Sequence, residues 1–263
     1  MKAVVMNGFG GPEVLNYQDV DTPEIGPEDV LVEVHAVSIN RTFDLFLREN
    51  TYAYTPDLPH IMGVDPSGVI TAVGENVTDR KVGDRVFCSI FVPTTRPDPY
   101  MSLPGLGPVD FLGVTVWGGN AQYVRTMASR TVPVPDNLNF HEATVIGRHL
   151  ATAVNQVDNV LKAKEGDTVL VMGATGGLGA ACIQVAKWAG ARVIAAAGAD
   201  DRVAATLELG ADHGINYRSH DLTEEILKLT DGQGVTGVCD SVADPETFNQ
   251  VIHSMARGAT LVT

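Results

Sequence analysis

The chain has 263 residues, of which 44% are apolar and 19% charged, a length and composition that suit two modest domains with buried cores. It contains no run of about 18 apolar residues, so no segment is expected to span a bilayer and a membrane is not expected as a partner. The formal net charge of −14 repels a phosphate backbone, whose binding needs a positive patch that displaces counterions, and this sets nucleic acid aside.

A strand is predicted over residues 2–6, directly after Met1 and without a charged leader or cleavage site before it, so a cytoplasmic protein is expected. Further short strands at 29–36, 67–73 and 85–90 are separated by turn chemistry at Gly10-Gly11-Pro12, Gly26-Pro27 and Gly83-Asp84. This spacing predicts a barrel-like or sandwich-like β domain over residues 1–130. From 93 to 119, Pro and Gly recur without a period, which predicts a long loop, either a substrate lid or a surface excursion. From 131 onward strand and helix alternate, with strands at 167–172, 192–197, 214–216 and 237–240 and helices at 178–189, 201–209 and 222–229. Apolar strands joined by amphipathic helices predict a parallel sheet covered on both faces over residues 131–263. A helix at 245–256 and a strand beginning at 260 end the chain. Cys88, Cys182 and Cys239 fit neither a disulfide framework nor a zinc knuckle and are expected to be reduced.

One segment carries chemistry on its own. The run Gly173-Ala174-Thr175-Gly176-Gly177-Leu178-Gly179 follows an apolar strand and opens a helix. Gly173 permits the tight turn, Gly176 lets the backbone approach a pyrophosphate, and Gly179 lets helix and strand pack closely, with the helix N-terminus facing the negative charge. An acid that would bind the adenosine ribose belongs at the end of the next strand, and Ala197 stands there instead. The following Gly198-Ala199-Asp200-Asp201-Arg202 offers Arg202 to a 2′-phosphate, although the three charged residues also read as a solvated first helical turn. On this charge argument NADPH is the expected cofactor, with NADH still possible.

Several further motifs jointly resemble the zinc-independent quinone oxidoreductases, the ζ-crystallin-like group of the medium-chain dehydrogenase/reductase superfamily. They are Gly10-Gly11-Pro12-Glu13-Val14-Leu15, Asn40-Arg41-Thr42-Phe43-Asp44 with Arg48 and Tyr52, Gly63-Val64-Asp65-Pro66-Ser67-Gly68-Val69, Val82-Gly83-Asp84-Arg85-Val86, Leu209-Gly210-Ala211-Asp212 and Asn216-Tyr217-Arg218. The resemblance implies an α/β chain with a GroES-like β-rich catalytic domain followed by a Rossmann doubly wound parallel sheet, and hydride transfer between a nicotinamide and a small-molecule substrate. It implies that Asn40, Asp44 and Tyr52 line the substrate pocket, with Tyr52 as the hydroxyl donor or else as a half-buried aromatic. Asp44 reads equally as a structural hydrogen-bonding residue. Thr152 would lie beside the nicotinamide and Tyr217 near the adenosine phosphate, unless both are ordinary helix and loop residues. Zinc-dependent relatives carry Cys near Asn40 and Gly-His-Glu at Gly63-Val64-Asp65, and a four-cysteine lobe within 93–119. Those ligands are missing here, so no metal site is expected.

Two departures stand out. Arg148 and His149 replace small apolar residues and could face the cleft, binding an acidic group or donating a proton, or be a surface arginine and a hydrogen-bonded histidine. The family also continues past Thr263, so the sheet is expected to be truncated at its C-terminus or completed by a partner; a homodimer is expected. Three functions remain open at this point. They are an NADPH-dependent quinone or enone reductase, a zinc-free alcohol dehydrogenase or enoyl-thioester reductase, and a non-catalytic, crystallin-like NADPH-binding protein.

Overall fold

The computed structural model describes residues 1–263 except Thr42, whose side chain lies outside the described residues. It divides into two units, Met1–Arg148 and His149–Thr263.

The first unit opens on a hairpin of β1 (Lys2–Met6) and β2 (Leu15–Asp19). There follow β3 (Asp29–Ala36), α1 (Arg41–Arg48), β4 (Ser67–Val73), β5 (Arg85–Cys88), β6 (Phe91–Pro93), β7 (Met101–Leu103), β8 (Gly107–Phe111), β9 (Tyr123–Met127) and β10 (Thr131–Pro133). Five of these strands form an antiparallel sheet in the order β10-β5-β4-β3-β9. Alternate residues Val30 and Val32 of β3 point into a core with Ile70, Val86, Leu112 and Val124, the period-two burial of a sheet with one covered face. A helix, α2 (Phe140–Val145), closes the unit on β3, β4 and β5. Because β10 pairs with β5 and α2 packs on the same sheet, the division falls after Arg148 and not after Arg130.

The stretch 93–119 is not the long loop that its composition suggests. It contains β7 and β8, which with β6 form a three-stranded antiparallel sheet in the order β6-β8-β7. Gly105 and Gly107, at φ of +77° and +76°, take the left-handed conformation that lets the chain reverse between β7 and β8. β7 has three residues, too few to show alternation, and β8 opens on Gly107-Pro108, so the turn residues hid them.

After α2 the chain stays helical through a π turn (Ile146–Leu150), α3 (Ala151–Val154) and a second π turn (Asn155–Val160). The second unit then alternates β11 (Thr168–Met172), α4 (Gly177–Trp188), β12 (Arg192–Ala197), α5 (Asp200–Glu208), β13 (His213–Asn216), α6 (Leu222–Leu229), β14 (Val235–Asp240), α7 (Pro245–His253) and β15 (Met255–Val262). All five strands are parallel, in the order β13-β12-β11-β14-β15. Val169 and Val171 of β11 join a core with Ile183 of α4, while Leu170 and Met172 join the opposite core with Leu222, Ile226 and Val251. Both faces are covered, which explains why β11 reads as an unbroken apolar run.

The helix expected over 245–256 ends at His253, and β15 starts at Met255, earlier than the expected 260. A register shift against β14 and Gly258 at φ +83° interrupt β15 and break its period in the sequence. Among the described residues, no helix is long and apolar enough to cross a membrane.

The start of α2 is secured by a capping box. Asn139 Oδ1 accepts from the Glu142 N–H at 3.0 Å, and Glu142 Oε2 accepts from the Asn139 N–H at 2.8 Å. Asn139→Ala is expected to lower the unfolding free energy by about 1 kcal/mol, read from denaturant melts; an unchanged midpoint would contradict the cap.

Candidate functional site

In the first unit the site grows from the loop between β3 and α1. Asn40 Oδ1 accepts from the Phe43 N–H at 3.4 Å, and Asp44 Oδ2 accepts from the Asn40 N–H at 2.8 Å, a reciprocal arrangement that satisfies donors at the start of α1. At the other end of α1, Arg48 Nε donates to the Gly10 carbonyl at 2.9 Å, tying the helix to the first glycine turn.

Asp65, with no exposed surface, is the fixed point of this half. Its Oδ1 accepts from the Ser38 hydroxyl at 2.5 Å, and its Oδ2 lies 3.8 Å from Nη1 of Arg148. The Arg148 guanidinium also lies over the Phe43 ring, 4.4 Å from its centroid, a cation–π contact. Tyr52 is half-buried against the core of Met6, Leu47, Met62, Val64 and Phe111. Its ring meets that of Phe43 at 5.3 Å, tilted by 56°, and its hydroxyl is 2.9 Å from that of Tyr100.

These groups act on one another electrostatically. Burial pushes the Asp44 carboxyl up to about 6, with Asp65 adding to the rise while the Asn40 amide and Arg148 oppose it. Burial pushes the Tyr52 phenol above its usual value although Arg148 opposes the rise. Tyr52 therefore keeps its proton throughout the neutral range and is a hydrogen-bond donor, not a base. Burial lowers Arg148, with Asp65 the leading opposing influence, and a guanidinium stays charged nonetheless. The structure thus brings Asn40, Asp44, Tyr52 and Arg148 into one neighbourhood. It adds Asp65, Ser38 and Tyr100, which sequence reasoning did not pick out as site residues. Tyr100 lies in the aperiodic Pro/Gly stretch, where no pattern marks it.

His149 opens the second unit. Its imidazole lies against Gly177 in the second unit, so close that a Cβ on Gly177 would fall 2.8 Å from Nε2. Gly177 is the first residue of α4, and the N-cap Gly176 offers no side-chain cap, so the opening amides of the helix are left to another acceptor. Gly173 has φ +65° and lies against Val242, which follows β14. A Cβ on Gly179 would stand 2.4 Å from the Gly173 carbonyl oxygen, so helix and turn pack at a distance only glycine permits. Ala174 is buried, Thr175 and Leu178 are half-buried, and Gly176 and Gly177 are exposed. This turn ends β11, between β12 and β14, where the strand order reverses and open α/β sheets bind ligands.

At the end of β12, Ala197 is buried, and a Cβ on Gly198 would lie 3.0 Å from the Tyr217 hydroxyl and 3.2 Å from Arg218 Nε. Arg218 belongs to a quoted motif, yet its place over Gly198 follows only from the fold. Arg202 is exposed in the first turn of α5, and Asp200 accepts from the Asn216 amide at 2.6 Å. Thr152 is at an exposed position of α3. Among the described residues, no group of three or more His, Cys, Asp or Glu could hold a metal ion.

The fold holds the Asp44 proton up to about pH 6, against an ordinary 3.8. The neutral carboxyl therefore favours the folded state fully below about pH 4, and that contribution is lost as pH rises through 6. Asp44→Asn is expected to flatten the corresponding fall in Tm between about pH 4 and 7. Identical Tm profiles for the two proteins would contradict the burial of this carboxyl.

Residues 26–136 match the family described as alcohol dehydrogenase GroES-like domain, and residues 177–263 the family described as zinc-binding dehydrogenase. The quinone oxidoreductase of Rattus norvegicus is 31% identical over 263 residues, covering 100% of this chain and 72% of the relative. A crystal structure described as an NAD-dependent alcohol dehydrogenase superposes with a TM-score of 0.91 at 38% identity, over 99% of this chain and 76% of the other. The Escherichia coli quinone oxidoreductase complexed with NADPH gives 0.83 at 25% identity, over 100% and 72%. With a GroES-like unit carrying the tyrosine and arginine, a Rossmann unit carrying the glycine turn, and relatives matched along its whole length, the chain belongs to the quinone oxidoreductase family of the medium-chain dehydrogenase/reductase superfamily.

Proposed function

We propose that this chain is an NADPH-dependent oxidoreductase that passes hydride to a quinone or an α,β-unsaturated carbonyl compound without zinc. The reading is carried by the use made of the positions where zinc-dependent relatives place their ligands. Asn40 caps α1, Val64 is buried in the core, and Asp65 holds Ser38 and Arg148. An amide, a valine and an already paired carboxylate do not make a thiolate–imidazole set for tetrahedral zinc. In their place the protonated Tyr52 hydroxyl and the fixed charge of Arg148 can stabilise negative charge developing on a substrate oxygen.

The glycine turn fits a nicotinamide dinucleotide, because the uncapped start of α4 with exposed Gly176 and Gly177 suits a pyrophosphate. When bound, the nicotinamide supplies the hydride. His149 against Gly177 belongs with this cradle, and Thr152 is assigned to the nicotinamide side by the family resemblance. For the 2′-phosphate of NADPH, Tyr217 and Arg218 are at Gly198, Arg202 is in the next turn, and no acid stands at Ala197.

The relative at 38% identity favours a second reading, an alcohol dehydrogenase that uses NAD. Calorimetric titration separates the two. NADPH is expected to bind at least about tenfold more tightly than NADH, and Arg218→Ala to remove most of that difference by weakening NADPH alone. Tighter NADH binding by the parent would overturn the cofactor assignment. Turnover is expected with NADPH on a panel of quinones and enones; cofactor binding with no oxidation on any acceptor would leave the non-catalytic binding protein. Gly179→Ala, whose methyl meets the Gly173 carbonyl at 2.4 Å, is expected to weaken cofactor binding by about tenfold or more, and parental affinity in that variant would place the cofactor away from this turn.

A further inference from the structure

The wedge sheet of β6, β7 and β8 brings one more hydroxyl to the site. Tyr100 precedes β7, and its hydroxyl is 2.9 Å from that of Tyr52. Its ring has little freedom to turn away. It meets Phe111 edge-on at 5.2 Å and 63°, and Tyr54 at 6.1 Å and 73°. Arg96, whose charge the Tyr54 hydroxyl favours, lies 3.6 Å from the buried Asp110. On the other side Tyr52 is fixed by Phe43, which also packs edge-on to Phe111 at 5.2 Å. Two hydroxyls are thus clamped face to face around a single pair of aromatic rings.

Two phenols in contact share one hydrogen bond, so whichever donates into the pair has committed its proton. If Tyr52 donates to Tyr100, the Tyr52 proton is turned away from any third oxygen. If Tyr100 donates, Tyr52 accepts with its lone pair, and its own O–H is free, directed and polarised by the bond it receives. We propose that Tyr100 is a positioning residue: its hydroxyl donates to Tyr52 Oη, so that the Tyr52 proton is presented to the substrate oxygen. This rests on the reading of Tyr52 as the donor to that oxygen. No covalent bond changes in this step; the Tyr52 O–H strengthens its hydrogen bond as the oxygen gains charge, while Tyr100 strengthens its own toward Tyr52.

The test is a double-mutant cycle on the full chain, with kcat and the KM for cofactor measured on an acceptor that the parent reduces. Tyr100→Phe keeps the ring packing and is expected to lower kcat about tenfold, the effect of one directed hydrogen bond, with the cofactor KM unchanged. Tyr52→Phe is expected to lower kcat further, and Tyr52→Phe/Tyr100→Phe to match Tyr52→Phe alone, because Tyr100 acts only through Tyr52. Parental kcat in Tyr100→Phe overturns the inference while leaving Tyr52 as donor. So does an equal fractional loss on adding Tyr100→Phe to Tyr52→Phe, which is the mark of a merely structural role. Parental kcat in Tyr52→Phe overturns the donor reading itself, and the inference with it.

Discussion

A carboxylate with no exposed surface has to be partnered, because an isolated buried charge is among the most costly features a fold can contain. Asp65 meets that requirement with one neutral donor, Ser38, and one cation, Arg148. Much of the first unit's site depends on this pairing. It brings the guanidinium to the Phe43 face and within electrostatic range of both Asp44 and Tyr52. Truncating one member of a buried pair commonly costs about 3–5 kcal/mol, since the other is left unmatched; at 3.8 Å this pair is looser than a direct hydrogen-bonded one. The Arg148 charge in turn opposes the rise of the Tyr52 phenol.

The same residues gather a phenol and a cation into one neighbourhood. Burial keeps the Tyr52 phenol protonated, and Asp65 holds the Arg148 cation nearby. Hydrogen-bond donors of this kind stabilise developing charge well only when they are preorganised. The aromatic packing of Phe43, Tyr52, Tyr100 and Phe111 provides that rigidity, and it draws on both α1 and the wedge sheet.

How much of this could be read in the sequence varies with how local its cause is. The strands from β11 to β14 were legible because burial on both faces writes an apolar run that needs no knowledge of the partner strands. The glycine turn was legible because its constraint lies between residues six apart or fewer. The β6-β8-β7 sheet was not, since β6 and β7 have three residues each and β8 opens on a Gly-Pro pair, nor was the start of β15, where a register shift breaks the period. Asn40 and Asp44 were found through family resemblance, but only geometry shows each hydrogen-bonded to the other's end of one turn. Asp65 and Arg218 stand in motifs, but their contacts, like those of Tyr100, are to neighbours distant in sequence that only the fold reveals.

Arg148 and His149 are consecutive, yet one answers to Asp65 and the other to Gly177. Successive residues on a helix diverge by about 100° around its axis, and here they do so inside a π turn. Such a turn accommodates a wider loop of backbone than the α-helix around it and is frequent where function is built. Its consequence is a kind of modularity. A change at position 148 alters the surroundings of the phenol, and a change at 149 alters the surroundings of Gly177 at the start of α4. Adjacent codons thus govern two separate local environments, one in each unit.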